Sequence, residues 1–230
     1  MKTIGLIGGM SWESTASYYK ALNLGIKSKL GGLYSAKICL YSVDFHEIEQ
    51  LQHQGKWEET ANILTRAAQS VEAGGADFIL ICTNTMHKVV PQIEQCISKP
   101  ILHIADATAE VLVADGITKV GLLGTRFTME QDFYKQRLTD NFGIEVVTPN
   151  VEQRTIVHDV IYQELCNGIV KDSSRSQYVA IIDALIEQGA QAVILGCTEI
   201  ALLVEPQHTK AALYDTTQIH ADAAIKWALN

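Results

Sequence analysis

Short apolar runs alternate along this chain with longer stretches in which apolar positions recur at helical spacing. The runs at 3–7, 37–43, 78–82, 101–104, 120–123, 145–148 and 192–197 predict strands. Several are apolar almost throughout, the pattern of parallel strands covered on both faces rather than of strands with one wet face. The intervening stretches 12–29, 57–73, 86–96, 129–141, 152–166, 176–188 and 219–229 predict helices. In 57–73, for example, Ala61, Leu64, Ala67, Ala68 and Val71 fall on one helical face. Strands alternating with helices imply an α/β fold built on parallel sheets.

The pattern also repeats. Gly75-Ala76-Asp77-Phe78-Ile79-Leu80-Ile81-Cys82-Thr83-Asn84-Thr85 lies over Gly189-Ala190-Gln191-Ala192-Val193-Ile194-Leu195-Gly196-Cys197-Thr198-Glu199, which puts Cys197 on Thr83 and not on Cys82. Gly5-Leu6-Ile7-Gly8-Gly9-Met10 is echoed by Gly121-Leu122-Leu123-Gly124-Thr125-Arg126, and Asp106-Ala107-Thr108 more weakly by Asp215-Thr216-Thr217. Matched segments in the same order at similar spacing are the mark of duplication. The expectation is two pseudo-symmetric α/β domains, 1–105 plus 213–230 and 106–212, with a site in the cleft between them. Four prolines and the lack of a low-complexity linker argue against a tether. Ligands of open parallel sheets bind beyond the carboxyl ends of the strands. The polar clusters Gly8-Gly9-Met10-Ser11, Cys82-Thr83-Asn84-Thr85, Gly124-Thr125 and Gly196-Cys197-Thr198-Glu199 all fall there.

Composition narrows the partners. The chain has 230 residues, 47% of them hydrophobic, which is enough for two cores. Its net charge of −8 disfavours nucleic acid or an anionic membrane as main partner, though a small site can still be locally positive. No run reaches the length of a membrane span. The first apolar stretch runs straight into glycines, as a first strand does and a signal peptide does not. Five scattered cysteines with no CxxC pair predict neither a disulfide framework nor a zinc site, and suit the cytoplasm.

Each polar cluster has a bland and a chemical reading. Gly8-Gly9-Met10-Ser11 offers free backbone N–H groups at a strand-to-helix turn, suited to a carboxylate, or simply closes the fold. It fits neither a dinucleotide fingerprint nor a P-loop. Cys197, between an apolar strand and an expected helix, is predicted to have a lowered pKa and to act as base or nucleophile; a buried cysteine is the alternative. Thr83 is a poor base but a competent proton donor, and its place opposite Cys197 raises it above a structural threonine. Cys82, one residue earlier, points to the opposite face and reads as core. Asn84, Thr85 and Thr198 can cap helices or bind substrate. Glu199 can bind an ammonium group or tune Cys197. His46 and Gln52 lie in a polar stretch that reads as a lid or a solvated loop, and His87 reads as structural. Cys39, Cys96 and Cys166 show no chemical pattern.

Taken together, Gly8-Gly9-Met10-Ser11, Asn84-Thr85-Met86-His87, Gly124-Thr125 and Gly196-Cys197-Thr198-Glu199 resemble the aspartate/glutamate racemase family across essentially the whole chain. The resemblance implies two α/β domains, no cofactor, a homodimer, and racemisation by two cysteines on opposite faces of the α-carbon. Here the first of these positions is Thr83, as the internal repeat also has it. Some aspartate racemases carry a substrate-binding lysine shortly before the glycine of Glu164-Leu165-Cys166-Asn167-Gly168; its absence here argues against strict aspartate specificity. Arg126 is the candidate replacement for gripping a side-chain carboxylate. The implied reaction converts L-aspartate or L-glutamate to the D form. Cys197 removes the α-proton and a proton returns from the Thr83 side. Met10, Ser11, Gln52, Asn84, Thr85, Thr125, Arg126, Thr198 and Glu199 bind the substrate. Two alternatives stand beside it: a single-cysteine decarboxylase of malonate-like acids, and a non-catalytic binding protein for an acidic amino acid.

Overall fold

The computed structural model describes all 230 residues, and the chain divides into two compact units, Met1–Ile104 with His220–Asn230, and Ala105–Ile219. Each is a parallel α/β sheet. No helix is long and apolar enough to cross a membrane.

The first unit begins with β1 (Ile4–Gly8), α1 (Trp12–Leu30), β2 (Ile38–Ser42), α2 (Phe45–His53), α3 (Trp57–Ala73) and β3 (Phe78–Ile81). A 3₁₀ turn at Thr85–Val89 leads into the short α4 (Val90–Glu94). The sheet order is β2-β1-β3, with Ile7 level with Ile81, so the carboxyl ends of β1 and β3 lie side by side. The apolar face foreseen for α3 is the one buried: Ala61, Leu64, Ala67, Ala68 and Val71 pack with Ile7, Ile79 and Ile81. On the other face Leu6, Phe78, Leu80 and Cys82 meet Tyr18, Leu22 and Ile26 of α1 and Ala221, Ala224 and Ile225 from the end of the chain.

The second unit contains α5 (Ile104–Ala114, whose first residue still belongs to the first unit), β4 (Lys119–Gly124), α6 (Arg126–Glu130), α7 (Asp132–Phe142), β5 (Glu145–Val147) and α8 (Val151–Gln163). It continues with α9 (Asp172–Glu187), β6 (Ala192–Gly196), α10 (Ile200–Leu203), β7 (Ala212–Asp215) and the start of α11 (Thr216–Leu229), which crosses into the first unit. The order is β5-β4-β6-β7, and Gly124 stands level with Gly196.

Four expectations change. The run 101–104 makes only one bridge, Ile101 to Ile79, and α5 starts at Ile104. The helix expected over 86–96 is broken into a 3₁₀ turn and α4, with Pro91 in the first turn of α4. The polar stretch holding His46 and Gln52 is no loop: Asp44 caps it through His46 N–H at 2.9 Å, and α2 buries Ile48 and Gln52. Residues 213–219, placed with the first domain by sequence, lie in the second unit because β7 pairs with β6.

A polar cluster lies inside the first unit. His220 Nε2 is 2.8 Å from the Leu102 carbonyl, so that nitrogen must carry the proton, and Nδ1 accepts the Tyr18 hydroxyl at 2.8 Å. Burial pulls the His220 pKa down to about 4, against a smaller upward pull from Leu102. The folded value is below the unfolded one of ~6.5, so the unfolded chain binds more protons. The stability is therefore fully present above pH ~6.5 and lost as pH falls towards about 4, by about 3 kcal/mol for this group. His87, also held neutral by burial first, adds to the same slope. Urea unfolding is expected to show this fall between pH 6.5 and 4, and His220→Gln to flatten it; an equal slope in the variant assigns the fall to other groups.

Candidate active site

In the first unit, the β1 turn is tied to the β3 turn. Gly9 has φ 93°, and a side chain there would run into the Val43 backbone, so glycine is required. Its N–H donates to Thr15 Oγ1 at 2.8 Å, and the Thr15 hydroxyl donates to the Ser11 carbonyl at 2.9 Å. Ser11 caps α1 by accepting from Ser14 N–H at 3.2 Å. Ser14 Oγ then donates to the Cys82 carbonyl at 2.8 Å. Met10, Ser11, Asn84 and Thr85 are buried, while Thr83 keeps part of its surface open. Cys82 is fully buried in the core, which pushes its thiol pKa well up and leaves it inert. Gln52, carried in by α2, has Nε2 2.9 Å from Met86 Sδ and a buried Oε1 with no hydrogen-bond partner. A buried amide oxygen without a donor is costly.

In the second unit, Thr125 caps α6, accepting from Thr128 N–H at 3.4 Å. Arg126 is exposed, and its N–H donates to His158 Nδ1 at 3.2 Å. At Gly196 a side chain would press on the Leu123 carbonyl at 2.7 Å, so this strand end too must be bare. Cys197 follows. Its thiol donates to Glu199 Oε2 at 2.9 Å, and the Thr198 hydroxyl donates to the same oxygen at 2.7 Å. Glu199 is buried at 4% exposure.

This corrects the expected acidity of Cys197. Its pKa is raised well above that of a free thiol, by burial first and then by the Glu199 and Cys166 charges. The helix that was to lower it, α10, has four residues and starts only at Ile200, so its dipole is weak. Buried Tyr178, whose hydroxyl donates to the Val157 carbonyl at 2.8 Å, is likewise pushed up, by burial first and then by Cys197.

The structure thus brings Met10, Ser11, Gln52, Thr83, Asn84 and Thr85 to one sheet end, and Thr125, Arg126, Cys197, Thr198 and Glu199 to the other. Sequence reasoning passed over Ser14 and Thr15. The Ser11-x-x-Ser14 spacing after a glycine turn was the available signal. Nothing in sequence pointed to Tyr178.

Comparison with known proteins gives the family. The chain matches the Asp/Glu/Hydantoin racemase family over residues 7–224. It is similar to a crystal structure of a candidate Asp/Glu racemase from Yersinia pestis, with 56% identity, full coverage of both chains and a TM-score of 0.93. It is also similar to an aspartate racemase homologue from Pyrococcus horikoshii OT3, at 35% identity, full coverage of both and a TM-score of 0.86. The broad specificity amino-acid racemase RacX of Bacillus subtilis (strain 168) is 23% identical over 96% of each chain. The chain belongs to the Asp/Glu/Hydantoin racemase family.

The Glu199 carboxylate disfavours a negative charge on Cys197. Glu199→Gln is therefore expected to lower the Cys197 pKa and shift the pH midpoint of its alkylation by iodoacetamide downward, followed on the Cys197 peptide by mass spectrometry. An unmoved or raised midpoint would show that burial alone sets the thiol.

Proposed function

We propose that this protein is a cofactor-independent amino-acid racemase acting on aspartate and glutamate. The observation that carries the reading is the pair of matched strand ends: a thiol beside a buried carboxylate after β6, and a hydroxyl at the equivalent place after β3. The family and the similarity to RacX support an amino-acid racemase.

The free thiol is held protonated by burial and by Glu199. An amino-acid ammonium group near Glu199 offsets that negative charge, so substrate binding itself favours the Cys197 thiolate. The thiolate takes the α-proton of the L form. The electron pair spreads into the substrate carboxylate, where N–H groups near Met10 and Ser11, with Asn84, Thr85 and Thr198, stabilise it. The Thr83 hydroxyl, directly or through water, delivers a proton to the other face. Thr125 and Gln52 complete the binding set, and Arg126 grips the side-chain carboxylate. We place the protein in the cytoplasm as a homodimer; all five cysteines are free.

Racemisation has an equilibrium constant of one, so kcat/KM is equal in the two directions. The weak basicity of Thr83 must therefore appear as kcat and KM moving together. A lone thiol also suits protonation of a carbanion left by decarboxylation, and loss of CO₂ from a malonate would favour that reading.

The test follows optical rotation of L- and D-aspartate and glutamate. Cys197→Ser is expected to lose about 10³-fold in kcat, and Thr83→Ala about 10²-fold or more. Thr83→Cys is expected to change kcat and KM for the two enantiomers unequally. Wild-type activity in all three variants would refute the assignment, and tight binding with no turnover in the parent protein would point to a binding protein.

A further inference from the structure

Thr83 sits between two carbonyls, each held by a buried side chain. The Cys82 carbonyl, in the peptide before it, accepts the Ser14 hydroxyl at 2.8 Å. The Thr83 carbonyl, in the peptide after it, lies 2.9 Å from His87 Nδ1. Only a protonated Nδ1 can donate to a carbonyl, and His87 Nε2 in turn accepts the Ile104 N–H at 3.2 Å. The two contacts fix the tautomer. Burial first, and then the nearby His103 and His220, keep the ring neutral. The ring stacks edge-on to His103 at 4.5 Å, so it cannot easily turn.

The second unit solves the same problem differently. The Cys197 carbonyl accepts a backbone donor, Ile200 N–H at 3.1 Å, and the thiol itself is held by Glu199. Thr83 has a β-branched side chain with few rotamers. Fixing both flanking peptide planes therefore narrows where its hydroxyl can point.

We propose that Ser14 and His87 are positioning residues that aim the Thr83 hydroxyl by clamping the peptides on either side of it. The proposal rests on the reading of Thr83 as the second proton donor. Neither residue exchanges a proton with substrate. Their loss leaves proton removal at Cys197 intact and slows proton return.

A substrate with a β leaving group separates the two steps. From 3-chloro-L-aspartate, Cys197 takes the α-proton, the Cα–H electrons form the Cα=Cβ bond and chloride leaves. Water then hydrolyses the enamine to oxaloacetate and ammonium. Elimination needs only the Cys197 side, whereas inversion of L-aspartate needs both. The variants use the geometry of the ring. In His87→Asn the amide nitrogen takes the place of Nδ1 and still donates to Thr83. In His87→Gln the amide reaches the place of Nε2, and the donor to Thr83 is lost.

The expected result is that His87→Gln and Ser14→Ala lower kcat for inversion by about 10²-fold, the scale of a small misplacement of a catalytic group. Their chloroaspartate elimination stays within about twofold of the parent, and His87→Asn keeps inversion within about threefold. Elimination also shows that each variant is folded. Thr83→Ala is the reference. If it inverts as fast as the parent, or if neither it nor the parent eliminates chloride, the reading of the site fails and the clamp with it. If Thr83→Ala eliminates but does not invert, while His87→Gln inverts normally or matches His87→Asn in both reactions, the clamp alone is overturned.

Discussion

A backbone carbonyl that leaves a parallel sheet inside a protein has lost its strand partner and must find another donor. The turns after β3 and β6 depend on meeting this demand, whereas the Gly8 carbonyl at the end of β1 accepts the Val43 N–H at 3.0 Å. At the end of β3 the donors are the Ser14 hydroxyl and the His87 ring. At the end of β6 the Thr216 hydroxyl supplies the Leu195 carbonyl at 2.9 Å, and Ile200 N–H supplies Cys197. At the end of β1, Thr15 serves both Gly9 N–H and the Ser11 carbonyl. In the proposed reading, the side chains that satisfy the backbone at the end of β3 are also the ones that aim Thr83. Bare glycines at Gly9 and Gly196 allow the close approach of the Val43 backbone and the Leu123 carbonyl.

The duplicated plan has diverged where chemistry is concerned. One strand end carries a thiol whose proton is held by a carboxylate, and the other a hydroxyl with its flanking peptides pinned. The first arrangement favours the protonated thiol at rest. A thiol kept neutral by burial and by Glu199 is a poor base, and in the proposed mechanism the ammonium group of an amino acid relieves that. A threonine hydroxyl needs no such control, since it is a proton donor across the neutral range.

Much of this was legible in the sequence, and the exceptions have physical causes. Strands such as Phe78–Ile81 and Ala192–Gly196 are buried on both faces, so they read as continuous apolar runs. The repeat aligned the ends of β3 and β6, and the structure has Thr83 and Cys197 just beyond those two strands. By contrast, α2 fully buries only Ile48 and Gln52, with Phe45 packed half-buried against the core, and its polar remainder hides the helix. The edge strand β7 is short and half-exposed, so it lacks any clear period. The acidity of Cys197 was read with the wrong sign, although Glu199 was named as a residue that could tune it. It depends first on burial of the thiol and then on Glu199 folding back onto it, neither of which spacing along the chain encodes.

The most direct measurement places the parent protein, with no added cofactor, in D₂O with L-aspartate or L-glutamate, and follows the α-position of both enantiomers by proton NMR at early times. Two unlike groups on opposite faces require the D product to carry solvent deuterium from its first appearance, while the remaining L substrate still holds its α-proton. A D product that keeps the original proton would mean that a single group serves both faces, and would contradict the pairing of Cys197 with Thr83.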